Sequence, residues 1–152
     1  TLVVGTTSMV GRQCEKQKVM DLNKSIEELE NHVWEEREEY FSVTLKKCHD
    51  YRKIPLKDIT IKQAVTLLKN DIGSAFLMPL VLDRMNADLY EEDPDDGSTF
   101  LEHIDGFNYE MFQRSSDLWK PMMALLRTRR EEVEQYIGWK RYEDLIHKMM
   151  GR

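Results

Sequence analysis

The residues with the clearest chemical potential in this sequence are its cysteine and histidine side chains. A nucleophilic cysteine needs a base such as histidine within hydrogen-bond reach, and Cys48 and His49 are neighbours in the chain. Adjacent residues on a helix point about 100° apart, so this adjacency does not make a nucleophile–base pair. None of the four histidines belongs to a His-x-x-x-His pair, which would place two metal ligands on one helix face. We therefore interpret Cys48 as a packed helical cysteine and do not expect an enzyme.

An acidic segment is the second candidate for chemistry. Residues 88–96 carry six carboxylates without a basic residue, at Asp88, Glu91, Glu92, Asp93, Asp95 and Asp96. The Asp93-x-Asp95-x-Gly97 spacing is similar to part of a calcium loop, but the full pattern with its late bidentate glutamate is absent. The sequence therefore predicts no metal and no cofactor. Two interpretations stay open: a solvated loop, or an anionic surface that docks a basic protein.

The strongest basic grouping is Arg127, Arg129 and Arg130. Three glutamates, at positions 131, 132 and 134, follow within helical pairing distance. This spacing favours local ion pairs over a phosphate site.

Composition limits the classes of partner. The chain has 152 residues and a net charge of −6, which disfavours nucleic acid because phosphate binding requires a basic face. No apolar run approaches the ~18 residues that span a bilayer, and no signal peptide is visible. Two cysteines fit a reducing compartment better than a disulfide framework. We expect a cytoplasmic protein with no membrane, nucleic-acid or small-molecule partner.

The elements that must position these residues are helical from Met20 onward. Residues 1–19 form a polar, basic tail that is possibly foreign to the domain, and residues 20–152 form the domain. Ser25 with Glu28, and Thr60 with Gln63, match the capping box that begins a helix. The spacing of Ile26, Leu29, Val33 and Trp34 predicts one apolar helical stripe.

An apolar stretch, Phe76–Met85, predicts a central buried helix. Its Pro79 lies either in the first turn, if the helix starts near Met78, or at a kink. Gly73 before it ends or bends the chain. Because strand patterns are scarce, the predicted fold is an all-α, compact, multi-helix single domain.

Several stretches of this sequence carry a family resemblance that covers about two thirds of the chain. They are the opening Asn23–Glu30, Cys48-His49 with Tyr51–Leu56, Ile72-Gly73, Phe76-Leu77, Pro79-Leu80, Leu82-Asp83 and Asp117–Lys120. In order and spacing, residues 22–126 resemble immunity proteins of bacterial contact-dependent growth inhibition (CDI) systems, the CdiI type.

The resemblance implies a small helical cytoplasmic immunity protein. Such a protein would bind and block the C-terminal toxin domain of a cognate effector, and these toxins are frequently nucleases. A nuclease tends to carry a basic groove, which an acidic inhibitor would complement. The six carboxylates of residues 88–96 are therefore the predicted toxin-binding residues. The alternative is a helical regulatory or scaffold module that binds an unrelated protein.

Overall fold

The computed structural model of the chain describes residues 20–36, 39, 42–107, 110 and 116–150, with the backbone alone at 116, 118 and 119. This part of the chain contains eight α-helices and no β-strand, which confirms the predicted all-α class. The predicted tail, residues 1–19, lies outside the described residues.

The helices follow one another with short connections. They are α1 (Ile26–Glu30), α2 (Val43–Tyr51), α3 (Ile61–Lys69), α4 (Ser74–Ala87), α5 (Phe100–His103), α6 (Ser116–Thr128), α7 (Arg130–Ile137) and α8 (Trp139–Met149). Two 3₁₀ turns, Leu56–Asp58 and Ile104–Gly106, precede α3 and follow α5.

Capping boxes begin three of these helices. At α1 the hydroxyl of Ser25 accepts a hydrogen bond from the Glu28 amide at 3.2 Å, and the Glu28 carboxylate accepts one from the Ser25 amide at 3.0 Å. Thr60 and Gln63 form the same box at α3. Both boxes were predicted. A third box, Thr99 with Glu102 at α5, was not.

The predicted apolar stripe of α1 is wrong beyond its first turn. Asn31 adopts a left-handed conformation (φ 53°) and ends the helix after Glu30. Val33 is consequently 70 % exposed. Trp34 lies outside the helix and packs against the core only in part. A short polar residue tolerates this backbone conformation better than most, and the 3.6-residue pattern carries no information about it.

Helix α4 is the predicted central helix. It begins at Ser74 rather than near Met78, so Pro79 lies inside it and not in its first turn. Leu77, Met78 and Val81 are fully buried, which confirms the predicted burial. Gly73 precedes the helix with φ +66°, and a Cβ there would lie 2.7 Å from Cδ1 of Ile26. This glycine therefore serves both the turn and the close approach of α1.

One hydrophobic cluster forms the core, and every helix contributes to it. Helix α4 packs against α3 and α6, and α7 packs against α5 and α8. Among the described residues, no helix is both long and apolar enough to cross a membrane.

Candidate functional site

The six predicted carboxylates lie on the loop between α4 and α5, called here the acidic loop (residues 88–99). The structure divides them by burial. Four are exposed, at positions 88, 92, 95 and 96, while Glu91 is half-buried and Asp93 is 2 % exposed. Two of the predicted contact residues are thus turned toward the protein.

Asp93 is an internal anchor of the loop. Its Oδ2 accepts a hydrogen bond from the Lys62 amide at 2.8 Å, and its Oδ1 accepts one from the Asp95 amide at 2.8 Å. Lys62 lies in the first turn of α3, where unpaired amides and the helix dipole favour a negative charge. The carboxylate therefore joins the loop to the start of α3.

The protonation of Asp93 follows from this environment. Burial alone would raise the pKa of its carboxyl, but hydrogen bonds from the amides of Lys62, Asp95 and Asp96 outweigh burial and hold the pKa below its usual value. The side chain is ionised at neutral pH, as a group that accepts amide hydrogen bonds at a helix N-terminus requires.

Glu91 is the second anchor. Its carboxylate pairs with both Nε and Nη2 of Arg84 on α4, the Nε contact measuring 3.1 Å. Nη1 of Arg84 donates to the Ile59 carbonyl at 2.9 Å, and the guanidinium lies over the Phe100 ring. A bidentate Arg–carboxylate pair fixes orientation as well as distance. The loop is thus held to α4 and to α3 at two separate points.

The exposed carboxylates are ordered locally or left open. Asp96 accepts hydrogen bonds from the Ser98 hydroxyl at 2.7 Å and from the Ser98 amide at 2.9 Å, which lower its pKa. Asp88 accepts one from the Tyr90 amide at 3.0 Å. The side chains of Glu92 and Asp95 make no hydrogen bond or ion pair with any described residue. The loop therefore presents ionised oxygen atoms outward from a fixed backbone.

An aromatic pair that sequence reasoning missed lies beside this loop. The rings of Tyr90 and Tyr136 are 5.5 Å apart, and each residue is about 40 % exposed. The Tyr136 hydroxyl donates to Glu102 at 3.0 Å and accepts from Thr99. Tyrosine is enriched among residues that dominate protein interfaces. No local pattern could have paired two tyrosines so far apart in the chain.

Cys48 and His49 occupy different surroundings. Cys48 is 1 % exposed, which confirms its predicted packing, and burial raises the pKa of its thiol. His49 is also buried, with Nε2 3.2 Å from Oε1 of Glu36 and its ring 6.0 Å from that of Trp34. A raised thiol pKa reduces the thiolate that nucleophilic attack requires.

A buried arginine close to His49 was also missed. Arg52 is fully buried, and its Nη2 donates to Glu30 at 2.7 Å and to the His32 carbonyl at 2.8 Å. Its guanidinium lies 4.3 Å from the centre of the Trp34 ring. Its Nε and Nη1 have no hydrogen-bond partner among the described residues. This side chain fastens residues 30–34 to the end of α2.

The basic grouping forms the local ion pairs that its spacing predicts. Arg129 binds Glu132 at 2.7 Å, and Arg130 binds Glu134 at 2.8 Å and Glu143 of α8 at 3.1 Å. These contacts occupy the guanidinium groups that a phosphate would need.

Within the described ranges, no three His, Cys, Asp or Glu side chains are grouped closely enough to hold a metal ion. What the acidic loop offers is a preorganised set of negative charges, suited to electrostatic recognition of a cationic surface. No protein-family model, no curated protein and no solved structure matches this chain.

Proposed function

We propose that this chain is an immunity protein of the CDI type, which binds the C-terminal toxin domain of a cognate effector and blocks it. The observation that carries the proposal is the division of the acidic loop. Asp93 and Glu91 fix its backbone from inside, while Glu92, Asp95 and Asp96 are held toward solvent.

Rigidity of this kind favours binding. A loop that is already ordered loses little conformational entropy when it meets a partner, so more of the contact energy appears as affinity. Exposed like charges on one surface also increase the rate of encounter with a basic protein. A toxin that cleaves nucleic acid carries such a basic surface, and the resemblance of residues 22–126 supports this class of partner.

The proposed inhibitor acts by binding alone. The buried thiol of Cys48, with its raised pKa, is poorly suited to attack a substrate. The arginines of α7 are engaged in ion pairs with glutamates of this same chain. Neither group supplies a nucleophile or a phosphate clamp.

The test is co-expression with the C-terminal domain of the effector encoded immediately upstream, with cell survival and co-purification as the measurements. We expect survival and a complex whose affinity falls as salt is raised. Death of the cells despite soluble expression of this chain would refute the proposal. A scaffold protein would neither protect the cells nor bind that domain.

Three charge reversals locate the contact. Glu92→Lys, Asp95→Lys and Asp96→Lys combined should weaken toxin binding by about tenfold or more, since an attraction becomes a repulsion. The matched control is Glu35→Lys, Glu131→Lys and Asp144→Lys, at exposed positions that make no printed pair and give the same change in net charge. Equal effects of the two triple variants would show that only total charge matters.

A further inference from the structure

A cleft of about 310 Å³ lies between α4 and α6 and belongs to none of the features described above. Its apolar part consists of Met78, Leu82 and the two in-helix prolines, Pro79 and Pro121. Ligand pockets begin at roughly this size, so the cleft fits a single side chain better than a cofactor.

The polar part of the cleft consists entirely of groups that accept hydrogen bonds, apart from one amide. Asp83 and Asn86 come from α4, and Asp117 comes from α6. All three are exposed, and their side chains make no hydrogen bond or ion pair within the described part of the chain. No lysine, arginine or histidine lines this cleft. Two carboxylates therefore face solvent without compensation on two different helices.

This lack of compensation is unusual for the molecule. Arg84, which neighbours Asp83 in sequence, pairs with Glu91 on another side of α4. Asp105 pairs with Arg141, and Glu132 pairs with Arg129. The carboxylates of the cleft have been left for something other than intramolecular ion pairing.

The prolines add a further acceptor. Proline has no N–H, so Pro121 leaves the backbone carbonyl of Asp117, four residues earlier, without its usual helical donor. A ligand for this cleft must therefore combine an apolar stem, which covers Met78 and Leu82, with a cationic end that donates several hydrogen bonds.

We propose that the α4–α6 cleft binds an arginine side chain of the partner protein. Arginine has an apolar stem and a planar guanidinium with five donors, and it is less strongly hydrated than lysine. The nature of the partner rests on the proposed function. The last turn of α4, with Asn86, leads directly into Asp88, so the cleft and the acidic loop are contiguous in the chain.

The first experiment tests the cleft by itself, with N-acetyl-arginine methylamide added to the full ¹⁵N-labelled chain. We expect saturable amide shifts at Leu82, Asp83, Asn86 and Met122. N-acetyl-norleucine methylamide, which keeps the stem and lacks the guanidinium, should shift them little. Asp83→Asn with Asp117→Asn should weaken binding by about tenfold, whereas the control Glu92→Gln with Asp95→Asn should not. Shifts that spread evenly over all exposed carboxylates, or that survive the Asp83/Asp117 substitutions, would overturn the inference.

The second experiment separates this inference from the proposed function by measuring toxin-domain binding with the same two variants. We expect the Asp83→Asn, Asp117→Asn protein to bind about tenfold more weakly and to protect cells less well. If it binds and protects like the unmodified chain, the cleft is not used and the inference fails while the proposed function stands. If the unmodified chain does not bind the domain at all, the proposed function fails, and the arginine titration decides about the cleft. Circular dichroism establishes that each variant is folded.

Discussion

The carboxylate of Asp93 binds the backbone amide of Lys62, 31 residues earlier in the chain, at 2.8 Å. This hydrogen bond joins the loop after α4 to the first turn of α3. It replaces a capping contact that helix α3 could otherwise obtain only from water, because Thr60 already binds the amide of Gln63. The most buried acid of the loop therefore belongs to the fold rather than to the solvent-facing surface.

Asp93→Asn should lower the free energy of unfolding by about 1–2 kcal/mol at neutral pH, since the substitution removes a charged cap from a buried position. Urea unfolding followed by circular dichroism measures the change. Asp95→Asn is the matched control, because Asp95 is exposed and contributes only its amide to Asp93. Equal stability of the two variants would contradict the role of Asp93.

The same carboxylate should contribute to acid sensitivity. Because its pKa is lower in the folded than in the unfolded chain, its stabilising effect is fully present above the unfolded value of about 4. The effect is lost as pH falls through the depressed folded pKa. Thermal melts between neutral and acidic pH should therefore show a steeper loss of stability in the unmodified protein than in Asp93→Asn. Parallel curves would argue against this carboxyl as a source of the acid dependence.

Gly73→Ala should be more destabilising than Gly97→Ala. Both glycines have positive φ, +66° and +71°, so alanine is strained at either position by about 1–2 kcal/mol. At Gly73 the new Cβ would also meet Ile26 Cδ1 at 2.7 Å, whereas nothing lies within 4 Å at Gly97. The difference in urea midpoint between the two variants isolates the steric contact. Adding Ile26→Ala to Gly73→Ala should recover less than additive loss, which tests that contact directly.

Arg52→Ala should destabilise the protein by about 3 kcal/mol, because a fully buried ion-paired side chain that packs on Trp34 is removed. Glu30→Gln should cost less, since the His32 carbonyl still accepts a hydrogen bond from Nη2. Arg52→Lys should restore only part of the stability, because an ammonium cannot both stack and donate in the same plane. Full rescue by lysine would show that only the charge matters.

Glu36 should titrate far below an ordinary glutamate. A hydrogen bond from Lys53 at 2.6 Å, with a second contribution from His49, lowers its pKa to about 2. Carboxyl-detected NMR titration should give this value in the unmodified chain and a value closer to 4.5 in Lys53→Met. Lys46→Met, which breaks the exposed pair with Asp50, should leave Glu36 unchanged. An unshifted Glu36 in the unmodified chain would contradict the Lys53–Glu36 contact.

Local signals were sufficient to predict much of the fold. Ser25 with Glu28, and Thr60 with Gln63, mark the starts of α1 and α3 because both partners of each box are within one helical turn. The all-apolar run Phe76–Met85 predicted the burial of α4 for the same reason. The early end of α1 at Asn31 escaped prediction, since the apolar spacing continues past a residue whose backbone leaves the helix.

The arrangement of the candidate site was less accessible to sequence reasoning. Spacing and charge located the acidic loop, but they did not distinguish buried Asp93 from exposed Asp95, because that difference depends on the amide of Lys62. The pairing of Tyr90 with Tyr136 and the meeting of Asp83 with Asp117 likewise depend on how distant helices pack. Contacts of this kind carry no local pattern.

The alternation of Glu91 and Asp93 with Glu92 and Asp95 has a consequence for engineering. Because the inward residues determine the path of the backbone, the outward ones can be randomised in a library while the helices stay intact. Selection on Glu92, Asp95 and Asp96 should then yield variants that differ in partner but share one melting temperature. The two inward acids are the positions that such a library must keep constant.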